Sequence, residues 1–400
     1  MGQKTVAIDV SRAAVRIVAL EATFRKAMVT MVTTVPIPPM TAKADVWSLV
    51  RDYVPQDADN IVVSSDARAS STRWLQFPFV DPRKVDAAVE FELEGVVPYE
   101  LEKTGLAWHI GRAADGKTDV IAAMQSKETV RELIGTMAAV GLEPRLVVLP
   151  AAALSELVPD AAEATAVIAV GETTTHFAIL RRGLIFARTL RVGLSGGELT
   201  NLPALIREIG TTLHTLNPDA QPQSVLVTGG ASRIIGLTAA LEDRLGVPVT
   251  LLDIAVGMAP VELGEHGIGP EYAIAAGLAV ATLRRGRHVP LNFRRGDLAY
   301  HGDLQVYRGE IVRIAVGLGA VLMFAMIGAI VQYTMVSAED RQLNQGFCDA
   351  SKKIIGREVC DPNAVMAIMR QSPGAGDGII VPTYSASSLL AMMSQSLEGV

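Results

Sequence analysis

Four hundred residues, half of them hydrophobic and a fifth charged, carry a formal net charge of −6 at pH 7. That balance excludes a disordered chain and a nucleic-acid-coating protein: there is enough apolar side chain to bury a core, and no excess of cation to hold a phosphate backbone. No signal peptide is expected, since Met1–Asp9 offers no apolar stretch of useful length.

The pattern opens as strand, turn, strand, strand. Thr5–Val10 is followed by a turn at Ser11–Ala13, then Val15–Glu21 with apolar residues alternating at Val15, Ile17 and Ala19, then Ala27–Val35, closed by Pro36, Pro38 and Pro39. A helix over Asp45–Val54 and strands over Asn60–Ser65 and Ser71–Phe79 come next. Pro82 to Val148 reads as an inserted unit. Asp81 caps a helix over Pro82–Gly95 with proline at its first position. Strands Thr104–Gly111 and Thr118–Met124 flank a turn at Asp115-Gly116, helix Lys127–Val140 ends at Gly141, and strand Pro144–Val148 closes the unit.

The opening then repeats in outline. Ala164–Val170, a turn at Gly171–Thr174, His176–Arg181 and Leu184–Leu190 form a second set of hairpins, with Arg182-Gly183 at the second turn. A helix from Ser195 to about Leu216, strand Ser224–Thr228, the turn Gly229-Gly230, helix Ile234–Leu245, strand Val249–Leu252 and helix Glu271–Leu283 complete it. Two three-strand hairpin sheets imply an internally duplicated α/β protein with a cleft between its halves.

Ile314 to Val331 carry no charged or hydrogen-bonding side chain. At 1.5 Å per residue this run covers about 27 Å, or about 34 Å if extended to Val336, against a hydrocarbon core of roughly 30 Å. A core helix of such length usually keeps a polar stripe, so a single transmembrane helix is expected at 311–336. Seven arginines lie between Ala281 and Arg313, whereas Glu339, Asp340 and Arg341 follow the span. The positive-inside rule then leaves the N-terminal part in the cytoplasm and carries the tail into the periplasm of a bacterial inner membrane. Both cysteines, Cys348 and Cys360, fall on the translocated side. A disulfide suits that oxidising compartment, and two unpaired thiols are the alternative. Past the span, 337–355 reads as continuing helix or coiled coil interrupted at Gly346 and Gly356. Helix Asn363–Arg370, a loop at Ser372–Gly378 and helix Ser385–Leu397 follow.

Several segments carry a family resemblance. Val6-Ala7-Ile8-Asp9-Val10-Ser11 resembles the first phosphate loop of the actin/Hsp70-like ATPase fold, and Leu226-Val227-Thr228-Gly229-Gly230-Ala231-Ser232 resembles its adenosine loop. Phe91-Glu92-Leu93-Glu94-Gly95-Val96-Val97-Pro98-Tyr99 and the stretch from Glu143 to Leu154 look like segments of the PilM family of type IV pilus assembly. Val289-Pro290-Leu291-Asn292-Phe293-Arg294-Arg295-Gly296-Asp297 resembles the short N-terminal peptide of PilN, the bitopic partner that docks into PilM. Fusion of these parts in this order resembles the GspL family of type II secretion. The resemblance implies an α/β, actin/Hsp70-like duplicated domain: a first half at 1–165 with an insert at about 82–148, and a second half at 166–286. A PilN-like peptide and linker at 287–310 would join it to the transmembrane helix. A small ferredoxin-like α/β region at 337–400 would end the chain, cut short or reduced, since too few strands remain there.

For a nucleotide, the resemblance points to Asp9 and Ser11 in the first hairpin, Gly171 in the second, and Gly229 and Gly230 near the adenosine. The loop departs from the family pattern in lacking a glycine after Val10, and Ala169 stands where actin-like hydrolases keep aspartate. ATP could be held weakly, then, but hydrolysis is not expected, and no cofactor is assigned. Gly229-Gly230 equally reads as a tight strand-to-helix turn, and Gly196-Gly197 as a helix entry. The six histidines show no metal spacing, so neither a metal site nor a catalytic residue is expected. Leu291, Asn292, Phe293, Arg294 and Arg295 form the expected self-docking peptide, the two arginines facing acidic rim residues; a plain linker is the alternative.

The implied function is a non-catalytic inner-membrane scaffold. Its partners would be the N-terminal region of a GspE-like secretion ATPase, a GspM-like bitopic protein, a GspF-like platform protein and a second copy in a homodimer, with no nucleic acid. A PilM/PilN-type pilus platform and an FtsA-like membrane-bound actin-fold ATPase are the competing readings.

Overall fold

The computed structural model describes residues 2–96, 100–111, 113, 116–194, 201–216, 220–283, 289–300 and 303–371, and the chain divides into two compact units, Met1–His301 and Gly302–Val400. In the first unit, β1 (Gln3–Val10), β2 (Ala14–Ala22) and β3 (Ala27–Pro36) form the opening hairpins, followed by α1 (Asp45–Arg51) and β4 (Asn60–Ser64). Next come β5 (Ser71–Phe77), α2 (Pro82–Val96), β6 (Thr104–Ile110), β7 (Thr118–Ser126), α3 (Lys127–Ala139) and β8 (Leu146–Val148). The first sheet has the order β3-β2-β1-β4-β8, and β5-β7-β6 form a separate three-stranded sheet. The strand expected to close the insert therefore pairs elsewhere: β8 lies parallel to β4, and β5, ahead of α2, supplies the insert's third strand. Val85, Val89 and Leu93 of α2, four residues apart, are fully buried against that small sheet.

α4 (Pro150–Leu154) ends the first half, and the second half repeats the plan through β9 (Thr165–Val170), β10 (Thr175–Leu180), β11 (Leu184–Leu190), α5 (Leu202–His214), β12 (Ser224–Thr228), α6 (Leu237–Leu245), β13 (Val249–Leu251), α7 (Ile254–Gly257) and α8 (Ala273–Ala281). Its sheet has the order β11-β10-β9-β12-β13, with β9 and β10 antiparallel and β9, β12 and β13 parallel. Strand for strand this is the first sheet again. α6 starts at Leu237 rather than Ile234, because Gly236 turns left-handed (φ 85°) just before it. Residues 195–200, including Gly196-Gly197 and the expected start of α5, lie outside the described residues, as do Pro98-Tyr99 and Asp115.

The two halves are locked by exchanged helices. α8, from the second half, packs on β1, β2 and β4, while α4 packs on β9, β10 and β11, and the two helices pack on each other. All nine residues of α8 are buried, which suits its Ala-rich sequence with no polar side chain. Gly277 permits the approach: a Cβ there would collide with the Ala153 carbonyl. Burying a Leu, Ile or Val side chain contributes about 1.5–3 kcal/mol, and Ile274, Leu278 and Val280 supply that here.

The second unit begins with α9 (Asp303–Ile355), 53 residues long, hence about 80 Å. From Ala315 it includes an 18-residue window of mean hydropathy 2.1, none of it buried, and is long and apolar enough to cross a membrane. Gly346 does not interrupt it; the helix stops before Gly356, which is left-handed at φ 75°. α10 (Pro362–Gln371) follows, and a disulfide joins Cys348 to Cys360. The expected loop at Ser372–Gly378 and helix at Ser385–Leu397 lie outside the described residues.

Candidate functional site

Between the two five-stranded sheets of the first unit lies a cleft of about 500 Å³, lined by the tips of both hairpins and by the turn after β12. Asp9 lies there, one residue before the end of β1, 5% exposed. Its direct cross-strand partner on β2 is Arg16. Burial pushes the Asp9 carboxyl up from the usual carboxylate range, against a hydrogen bond with Ser64 and the charge of Arg16, both of which pull it down. Ser64, at the end of β4, also accepts from the Val10 amide at 3.1 Å. Ser11 closes the hairpin turn, its hydroxyl donating to the Ala14 carbonyl at 2.7 Å and accepting from Arg16 at 3.2 Å.

The second hairpin places Ala169 opposite His176 at the equivalent register. The acid–cation pair of one half is thus an alanine–imidazole pair in the other. Burial lowers His176 to about 4, and its Nδ1 lies 3.0 Å from the Thr189 hydroxyl, so the ring stays neutral near pH 7. Gly171 opens the turn, donating to the Thr174 carbonyl at 3.0 Å and accepting from Leu194 at 2.9 Å. Gly229 sits at φ 88°, ψ 167°, and a Cβ on it would lie 2.5 Å from the Val170 carbonyl oxygen. The glycine is therefore required by close packing of two backbone segments, whatever else it meets. Gly230 faces Arg16 across the cleft, 4.0 Å from its Nη2 to an ideal Cβ.

Arg16, Ser64 and His176 are cleft residues that the sequence reading passed over. A signal for Arg16 existed: pairing the strands about the tight turn sets it opposite Asp9. Its Nε is buried without a hydrogen-bond partner. With the turn at Ser11 and the Gly229-Gly230 bend, this arrangement fits an anionic group such as a phosphate. It does not fit a metal ion. Asp9 is desolvated and faces a cation, Glu271 is paired with Arg233 at 3.1 Å, and no cluster of His, Cys, Asp or Glu that could hold a metal occurs among the described residues.

A second constellation lies at the edge of the first sheet. Asn292 bridges antiparallel to Val148, the Phe293 amide donates to Val147 at 2.8 Å, and the Leu149 amide donates to Leu291 at 3.2 Å. The Asn292 side chain accepts from the amides of Val147 and Arg294, both at 3.1 Å. Leu291 and Phe293 are fully buried in the main core. Arg294, its side chain 5% exposed, reaches Glu143 at 3.1 Å; Arg295 reaches Asp86 at 3.4 Å and stacks 3.8 Å over Trp108. Asp297 meets Lys127 and Arg131 at 3.0 and 3.2 Å. The segment docks on the edge of the sheet through a single antiparallel bridge and is clamped by charge on both sides.

A duplicated pair of sheets with exchanged helices and a cleft between the hairpins defines the actin-like fold class. Residues 7–214, just over half the chain, match the Type IV pilus assembly protein PilM family, to which the chain belongs. The PilM-PilN type IV pilus biogenesis complex shares the fold with a TM-score of 0.61 at 18% identity, over 70% of this chain and 98% of that one. The cytoplasmic domain of EpsL, an inner membrane component of the type II secretion system of Vibrio cholerae, aligns over 74% of this chain and 100% of its own length, at 10% identity and a TM-score of 0.42. No curated protein matches the sequence.

Proposed function

We propose that the chain is a bitopic, non-catalytic scaffold of a type II secretion or type IV pilus assembly platform, built on the GspL plan. The observation that carries this reading is the segment at 289–300: a peptide docked on the sheet edge of a PilM-family domain that leads, three residues on, into a helix long enough to cross a bilayer. A peptide of that kind tethered in the same chain has a high effective concentration at its groove, so its occupancy needs little intrinsic affinity. The actin-type lobe would lie in the cytoplasm and recruit the N-terminal region of an assembly ATPase; the tail would pair with a GspM-like partner in the periplasm. The Ala169–His176 pair in place of a second acid speaks against hydrolysis, leaving the cleft at most an anion-binding pocket.

Detergent-solubilised chain is expected to retain a GspE-like or pilus-extension ATPase in pull-down through its first unit, and to release no phosphate from ATP by itself. Phosphate release abolished by Asp9→Ala would instead make it an enzyme, and failure to retain any assembly ATPase would remove the scaffold role.

A further inference from the structure

Phe24 is 91% exposed. It sits at the tip of the β2–β3 hairpin, and the tip is held rigid: the Thr23 amide and hydroxyl both donate to the Lys26 carbonyl, at 2.8 and 2.9 Å, and the Lys26 amide donates to the Thr23 hydroxyl at 3.2 Å. The ring therefore stands out from the sheet rather than folding back on it. Arg25, beside it, makes no ion pair among the described residues, and Lys26 has only an exposed 3.6 Å contact with Glu262.

The register places this tip. Ala22 pairs with Gln3, so the hairpin turns at the start of β1, opposite the end that carries Asp9. Five residue steps along the strand, Lys4 to Asp9, separate the two ends by roughly 17 Å. The docked segment leaves the first unit at that same end. Thr5 pairs with Asn60, Arg145 donates to the Asn60 side chain at 2.6 Å, and the Arg145 guanidinium lies 5.3 Å from the Tyr300 ring. Three residues later α9 begins, and its apolar stretch starts at Ala315, about 18 Å along the helix.

We infer that the Phe24–Lys26 tip is a lipid contact: the ring enters the headgroup–acyl boundary of an anionic bilayer and Arg25 and Lys26 meet its phosphates. An aromatic ring flanked by cations is the composition that settles at such a boundary, and the chain leaves for the membrane from the same end of the same sheet. This rests on α9 crossing the bilayer, and on nothing about which ATPase is recruited.

The test uses the full chain in phosphatidylglycerol-containing vesicles, with Phe24→Cys labelled by an environment-sensitive fluorophore. The native cysteines are joined to each other, so the introduced thiol alone reacts. Met40→Cys, at a fully exposed position beyond the cleft end of β3, is the control. The label at 24 should shift to the blue and be quenched by shallow brominated lipid, while the label at 40 stays in water. Adding Arg25→Glu should reduce the contacting fraction about fivefold or more, the factor for one basic residue at an anionic surface. Equal emission at 24 and 40, a blue shift without lipid quenching, or quenching unmoved by Arg25→Glu would each overturn the inference. Carbonate extraction separates the failures: a chain that washes off the vesicles removes the platform reading, whereas a retained chain with a water-exposed label at 24 removes only this one.

Discussion

Asp9 and Arg16 show what a duplicated fold can lose on one side. The two hairpins keep the same register, yet only one carries an acid at this position, and that acid is held by a hydroxyl and a guanidinium in a site that disfavours its charge. The folded chain binds this proton more tightly than the unfolded one, so the contribution of Asp9 is favourable in acid and is lost as pH rises through its raised folded value. Asp9→Asn should accordingly unfold at a higher temperature than the wild type at pH 7, and the two melting curves should converge as pH falls through the ordinary carboxylate range. A lower midpoint for the variant at pH 7 would mean that the Arg16 pairing outweighs the desolvation. Asp9 was legible in the sequence because Val6–Ser11 resembles a phosphate loop that carries an acid there. Arg16 was legible only through the hairpin register, since it otherwise occupies one place in an alternating strand.

At the level of elements, the docked segment at 289–300 is the part whose removal should be felt most widely. Phe293 is fully buried and shares the main core with β1, β4 and β8. Truncating a buried Phe costs about 3–5 kcal/mol. Phe293→Ala together with Asn292→Ala should therefore release the segment, seen as rapid proteolysis between 283 and 303 while the rest of the first unit stays resistant; unchanged cleavage would show that docking lies elsewhere. The hairpins, α2 and α3 were readable because alternation, Asp81 before Pro82, and Gly141 after α3 are local signals, and Gly141 indeed turns left-handed at φ 77°. The pairing of β8 with β4, and of β5 with β7, was not. A three-residue apolar strand says nothing about its neighbour, and sheet partners are chosen by packing between distant segments. The short helices α4 and α7 escaped for a similar reason: four or five residues are too few to display a helical period.

For the whole molecule, the span and the cysteine pair make a joint prediction about topology. Cys348 and Cys360 form a disulfide, so in unreduced cells neither should react with maleimide. After permeabilising the outer membrane and reducing, a reagent that cannot cross the inner membrane should modify both; labelling only after lysis would place the tail in the cytoplasm. The span was evident from eighteen residues of composition, whereas its continuation through Gly346 was hidden, because one glycine costs only about 1 kcal/mol in a helix. The docked segment at 289–300 also sets an order of events during synthesis. It is the final piece of the first unit to leave the ribosome, and the apolar helix emerges directly behind it. Until then β8 presents bare amides and carbonyls to any passing chain, a hazard that grows with time. Completion of the first unit and appearance of the apolar helix thus become nearly one step, leaving the nascent protein little chance to wander with its flank unguarded.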